Sequence, residues 1–272
     1  MSIAATVKDR KGRLVRNLVR EDFEVLVQGT TRPIIGFEPS TDGPVSLALV
    51  VDLSGSMRVS DNLVSARNAA DQVLSWFRAT DEAALFLFDR NLYEVQAFTS
   101  DVTQLRGALE RLEDPFGATS IFDAVARVAT YVGERATKRR AIVVFTDGFD
   151  TSSRLSAAQV SSTASRVDMP IYTIVVGSAL DHPIASVNDE VVSLGQLTGE
   201  LCDLAHWTGG ECFAVTAPAH ASVAARQVVS DLRHQYLLAF ESSANPGWHR
   251  LDIRMRKPNL TVRTRGGYLR AG

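Results

Sequence analysis

Between residues 44 and 216 the chain alternates apolar runs of strand length with segments of helical spacing. "VSLALVVD" (45–52), "EAALFLFD" (82–89), "RRAIVVFTDG" (139–148), "MPIYTIVVG" (169–177) and "ECFAV" (211–215) are largely apolar on both faces. A shorter segment, "EVQAFT" (94–99), joins them. Between them, "SDNLVSARNAADQVLSWFRA" sets Leu63, Ala66, Ala70, Val73, Leu74 and Phe77 at helical intervals, with Ser60 or Asp61 as N-cap. "DVTQLRGALERLE" is a short amphipathic helix, and "SIFDAVARVATYVGER" turns Ile121, Ala124, Val125, Val128 and Val132 inward. "SAAQVSSTASRVD", "SLGQLTGELCDLAHWTGG" and "HASVAARQVVSDLRHQ" are further helices, the middle one closed by a Gly pair. Strands buried on both faces and separated by helices predict an α/β fold. The expected form is a doubly wound, mostly parallel six-stranded sheet flanked by helices.

The two ends read differently. "SIAATVKD" alternates, "RKGR" is a turn, and "DFEVLVQG" places Phe23, Val25 and Val27 on one face. Pro33 in "TRPIIGFEP" argues for an edge strand. "YLLAFES", "HRLDIRMRK" and "LTVRTRGGYL" follow at the other end, separated by the turn signals "SANPG" and "KPN". Neither end alone has the apolar surface for a core. Together they predict a small β-sandwich of about six strands into which the α/β unit is inserted. The expected layout is 1–43 and 237–272 for the two sandwich halves, and 44–236 for the α/β domain.

Composition narrows the function. A formal net charge of −2 gives no general reason to expect nucleic acid or an anionic membrane surface as partner. No apolar run approaches a membrane span. The start "MSIAATVKDRKG" lacks the charged and apolar regions of a secretory signal, although a signal removed earlier would leave such a start. The five histidines, His182, His206, His220, His234 and His249, are scattered, which speaks against a zinc site or a His-based triad. No G-x-S-x-G, P-loop or G-x-G-x-x-G motif occurs. The two cysteines, Cys202 and Cys212, fit either two half-buried thiols or one helix-to-strand disulfide.

In an open parallel sheet, ligands bind where the strands end. Three polar clusters fall there: Asp52-Leu53-Ser54-Gly55-Ser56, Gly117-Ala118-Thr119 and Thr146-Asp147-Gly148. Two carboxylates and several hydroxyls, with no His or Cys, are hard oxygen donors. They suit Mg²⁺ and tolerate Mn²⁺ or Ca²⁺ over zinc. A bound cation would polarise the hydroxyls without a general base. The competing reading, polar strand ends that merely cap helices, fits each cluster alone and fits the three together poorly. Arg58 is a candidate for attracting an acidic ligand, and Asp150 for tuning the site. Asp89, Asp123 and Asp150 are also ordinary candidates for loop caps. The polar loop 179–193 reads equally as a functional loop or as a surface excursion.

"DLSGSM", "GATSIFDAV" and "VVFTDGFD" resemble the metal-ion-dependent adhesion site (MIDAS) of von Willebrand factor type A domains. The resemblance spans residues 44–236 in element order. It implies direct metal contact by Ser54, Ser56 and Thr119, with Asp52 and Asp147 acting mostly through water. The sixth position is left to water or to a partner's Asp or Glu carboxylate. Gly55, Arg58, Gly117, Gly148 and Asp150 would form the ligand-binding rim. In inserted domains of this family ligation can be coupled to a shift of the last helix, here about 219–235. The flanking β segments resemble those of bacterial proteins that frame such a domain, many of them exported, which implies a secreted or periplasmic location. The expected function is therefore a non-enzymatic, divalent-cation-dependent protein-binding module of the cell-adhesion type. The rival readings are a structural module whose metal only stabilises the fold, and a metal-dependent hydrolase.

Overall fold

The computed structural model describes residues 1–112, 115–135, 139–177 and 199–270. The loop 179–193 therefore lies outside the described residues. The chain begins with four strands, β1 (Ser2–Asp9), β2 (Phe23–Val27), β3 (Thr30–Arg32) and β4 (Ile34–Glu38). It then enters the α/β layer through β5 (Ser46–Asp52), a 3-10 segment (Gly55–Asp61) and α1 (Asn62–Leu74). There follow β6 (Glu82–Phe88), β7 (Leu92–Thr99), α2 (Val102–Glu110), α3 (Ile121–Gly133) and β8 (Arg140–Thr146). Next come α4 (Ala157–Arg166), β9 (Ile171–Val176), α5 (Glu200–Trp207), β10 (Cys212–Val215) and α6 (Pro218–Arg233). The described chain closes with β11 (Tyr236–Phe240), β12 (Gly247–Met255), β13 (Leu260–Arg263) and β14 (Gly267–Arg270).

The central sheet has the order β10-β9-β8-β5-β6-β7. All its pairs are parallel except β6 with the edge strand β7. Every residue of β5 is buried. Leu47, Leu49 and Val51 face a core shared with α1, α2 and α6, while Ala48 and Val50 face one shared with α3, α4 and α5. Burial on both faces is why β5 shows no polar alternation. Between β5 and β8 the connections depart in opposite directions, so the crevice at their carboxyl ends is the topological switch point.

One local expectation fails. Neither Ser60 nor Asp61 caps α1 with its side chain. Both sit at positive φ, 51° and 57°, where the chain turns out of the 3-10 segment into the helix. The backbone reversal sets their conformation, which differs from the extended one usual for a capping residue.

The two chain ends form two four-stranded sheets, β13-β1-β11-β4 and β14-β12-β2-β3. Ile3, Val7, Phe23, Val25, Tyr236, Leu238, Leu251 and Ile253 fill the core between them. The sandwich has eight strands because two predicted strands are each divided between the sheets. Pro33, without an N–H, separates β3 from β4, and residues 264–266 separate β13 from β14. The last helix α6 runs directly into β11. Arg233 at its end meets Asp81 in a buried ion pair, and Asp231 receives both Arg263 and Lys8, the latter at 3.2 Å. Cys202 and Cys212 are joined as a disulfide between α5 and β10, with Cα atoms 5.2 Å apart.

Candidate metal centre

The three predicted clusters meet at the carboxyl ends of β5 and β8. Asp52 is fully buried. Its Oδ1 accepts the Ser54 backbone N–H at 2.7 Å, and its Oδ2 accepts the Thr146 hydroxyl at 2.6 Å. The Ser54 and Ser56 hydroxyl oxygens lie 3.1 Å apart, so the alternating D-x-S-x-S spacing does turn both alcohols to one side. Asp147, 4% exposed, follows β8 directly. Its Oδ1 accepts only a long 3.4 Å contact from the Phe149 N–H.

The loop carrying Thr119 is stitched to the loop after β5. Gly55 donates its N–H to the Gly117 carbonyl at 3.0 Å, and Phe116 donates to the Leu53 carbonyl at 2.8 Å. A Cβ on Gly55 would come 3.4 Å from the Gly117 oxygen, so a small residue suits this approach. Gly117 and Gly148 adopt φ of +90° and +94°, which glycine reaches without strain. Thr119 itself is buried and held through its backbone. Its N–H donates to the Thr151 hydroxyl at 2.9 Å, and its carbonyl accepts from the N–H groups of Thr151 (3.0 Å) and Ser152 (2.9 Å).

Asp150 is committed to a helix end. Its Oδ2 accepts from the Ile121 N–H at 2.8 Å and from the Ser153 hydroxyl at 2.5 Å, while Oδ1 accepts from the Ser153 N–H at 2.9 Å. The Ser153 hydroxyl oxygen in turn accepts the Phe122 N–H at 3.0 Å. Orphan N–H groups of α3 are thus capped from another loop, since its own N-cap Ser120 makes no capping bond. Asp123 accepts from the Leu155 N–H at 2.9 Å and Asp89 from the Asn91 N–H at 2.6 Å; both are loop caps. Arg58 is exposed on the 3-10 segment.

Electrostatically the crevice is short of positive charge. Burial pushes the Asp52 carboxyl up to about 6; bonds from Thr146 and Ser54 oppose that rise, and neighbouring Asp147 adds to it. Among the described residues no lysine or arginine pairs with either aspartate. Two buried carboxylates beside converging hydroxyls are a donor set that fits a hard divalent cation. Among the described residues, this site included, no group of three or more His, Cys, Asp or Glu is placed to hold a metal, so any ion here would rest on hydroxyls as well as the two acids.

Sequence reasoning missed two features of this face. The first is the supporting set Thr151, Ser152 and Ser153. Its signal was present in "TDGFDTSS", an acid followed by hydroxyls at local hydrogen-bonding spacing. The second is an apolar fringe. Val59, Phe116 and Phe149 are 57%, 77% and 61% exposed, and each sits on a different one of the three site loops. Beside Leu53 and Phe116 lies a cavity of about 370 Å³ that Leu87 and Tyr93 also line.

Comparison with known proteins follows the same lines. Residues 47–149 match the von Willebrand factor type A domain family. No curated protein matches the chain. Among solved structures, a von Willebrand factor type A protein from Catenulispora acidiphila superposes with a TM-score of 0.54 at 12% identity, covering 96% of this chain and 71% of that one. BatB from Bacteroides thetaiotaomicron gives 0.56 at 20% identity, over 69% of this chain and 98% of its own. Proximal thread matrix protein 1 from the mussel byssus, in a form described as having a zinc-occupied MIDAS motif, gives 0.57 at 18% identity, over 76% and 50%. At these identities the likeness is one of fold.

Proposed function

We propose, taking the von Willebrand factor type A domain of residues 47–149 as the premise, that this chain is a non-enzymatic module that binds a protein partner through a divalent cation. Ser54, Ser56 and Thr119 would hold the ion through their hydroxyls, with Asp52 and Asp147 behind them. The observation that carries the reading is the pair of buried carboxylates, with no lysine or arginine paired to either among the described residues, beside two hydroxyl oxygens 3.1 Å apart. The hard oxygen set favours Mg²⁺, with Mn²⁺ and Ca²⁺ as alternatives. When bound, the cation supplies an open coordination position that accepts an Asp or Glu carboxylate. The chain's own residues do the rest. Thr146 and the Ser54 N–H orient Asp52, while the 150–153 loop fixes the backbone of Thr119. The exposed Val59, Phe116 and Phe149 offer apolar contact around the charged centre.

Hydrolysis is disfavoured by the placement of the nearby acids. Asp89, Asp123 and Asp150 each accept backbone N–H groups, so none is poised as a general base. The Cys202–Cys212 disulfide supports an oxidising, extracytoplasmic compartment.

The test is calorimetric titration of chelator-treated protein with Mg²⁺, Mn²⁺ and Ca²⁺. One saturable site is expected, lost in Ser54→Ala and Thr119→Ala while the metal-free melting temperature changes little. Undiminished binding in both variants would overturn the site. Binding accompanied only by a rise in melting temperature, with no metal-dependent capture of an acidic partner, would favour the structural module.

A further inference from the structure

A second cavity, of about 460 Å³, lies where α4 and α5 meet the sandwich. Ser161 and Ser162 of α4, Trp207 at the end of α5, Trp248 and Arg250 of β12, and Gly266 line it. None of these residues belongs to the three metal loops. The volume falls within the range of small-ligand pockets, roughly 300–1,000 Å³.

Its walls are fixed before any ligand arrives. The Trp248 indole lies directly against β14: a Cβ on Gly267 would come 2.4 Å from Cζ2. The Gly266 N–H donates to the Trp207 carbonyl at 2.9 Å, and the Gly266 carbonyl accepts the Leu251 N–H at 3.0 Å. Behind them the buried Arg265 donates to the carbonyls of Ser165 and, at 2.8 Å, Ser2, which clasps α4 to the sandwich. Yet Trp207 and Trp248 remain 42% and 44% exposed. Two half-open indoles around one hollow, that of Trp248 packed on β14, are platforms for a flat ligand face.

The remaining lining decides the ligand class. Among the described residues it includes no carboxylate, and Arg250 is exposed beside the indoles. A guanidinium there opposes cationic ligands, although aromatic cages otherwise suit them. The Ser162 hydroxyl donates to the Ala158 carbonyl at 3.1 Å, so its oxygen is left to accept. The set therefore provides flat apolar faces, hydroxyl partners and a bidentate anion donor. We propose that this cleft binds an acidic saccharide, with a pyranose C–H face stacked on the indoles and a ring carboxylate or sulfate on Arg250.

The experiment is calorimetry on the intact chain in excess chelator, so that a cation at the other site contributes nothing. The probes are trigalacturonate, a sulfated disaccharide, neutral maltotriose and decaproline. Saturable binding of at least one acidic probe is expected, with maltotriose weaker by about tenfold, as befits loss of one charge-assisted contact. Trp248→Ala should weaken binding about tenfold, as for loss of one stacking platform. Trp207→Phe, which keeps a ring, should largely retain it. Arg250→Gln should bring the acidic probes down to the maltotriose level, and its exposed position makes a folding defect no explanation. Saturation by neither acidic probe, an unchanged acid preference in Arg250→Gln, or tighter binding of decaproline than of either acidic probe would each overturn the assignment.

Discussion

Asp52 carries a conflict between stability and binding. Its carboxyl is fully buried and pushed up to about 6 by that burial, against 3.8 in the unfolded chain. The folded state thus prefers the neutral acid, and ionised Asp52 costs stability. The cost is fully present above about pH 6, shrinks as pH falls, and vanishes below 3.8. Asp52→Asn should therefore raise the stability of chelator-treated protein at pH 8, by an amount on the order of 2–3 kcal/mol. The gain should fade towards pH 4, and cation binding should be lost at both. Thermal melts across that pH range check it, and a variant less stable at pH 8 than the parent would contradict it.

At the scale of elements, α3 depends on a loop far from it in sequence. Asp150 and Ser153 satisfy N–H groups of its first turn, and the same loop grips Thr119. Asp150→Ala should cost about 1–2 kcal/mol, the usual worth of a helix cap. It should also weaken cation affinity by loosening Thr119, a loss that titration beside a melting curve would register. The disulfide spans only 10 residues between α5 and β10. Constraining so short a loop contributes roughly 2–3 kcal/mol. Reduction or a Cys202→Ser, Cys212→Ser double variant should lower the melting temperature without altering cation affinity. Titration under reducing conditions shows whether that separation holds.

Over the whole molecule, the α/β layer and the sandwich are locked by charges at the end of α6. Asp231 is buried against Lys8 of β1 and Arg263 of β13, and Arg233 against Asp81. Asp231→Asn should destabilise the protein by about 3 kcal/mol, because it leaves two part-buried cations undercompensated. Glu211, which still faces Arg263, keeps the loss at the lower end of that class. A denaturant melt measures it, and a near-neutral result would show that the helix end is fastened chiefly by apolar packing. The same fastening bears on coupling: a shift of α6 along its axis would have to break these three ion pairs.

Much of this was legible in the order of residues. Apolar runs such as "VSLALVVD" announced a sheet buried on both faces, and D-x-S-x-S placed Ser54 and Ser56 at the tight turn leaving β5, where their hydroxyls meet. The division of the sandwich into eight strands was not legible, since β3 pairs with neighbouring β2 while β4, just past Pro33, pairs with β11 about two hundred residues away. Nor was the employment of Asp150, whose choice between a metal rim and a helix end is made by the nearness of α3. Sequence alone determined the kinds of element, the hydroxyl and carboxylate side chains and the edge where they gather, because these follow from local spacing and residue type. Only tertiary structure decided which acids are committed to helix and loop ends, which aromatics stay half-exposed, and how α6 is held, because each depends on groups that the chain separates and the fold brings into contact.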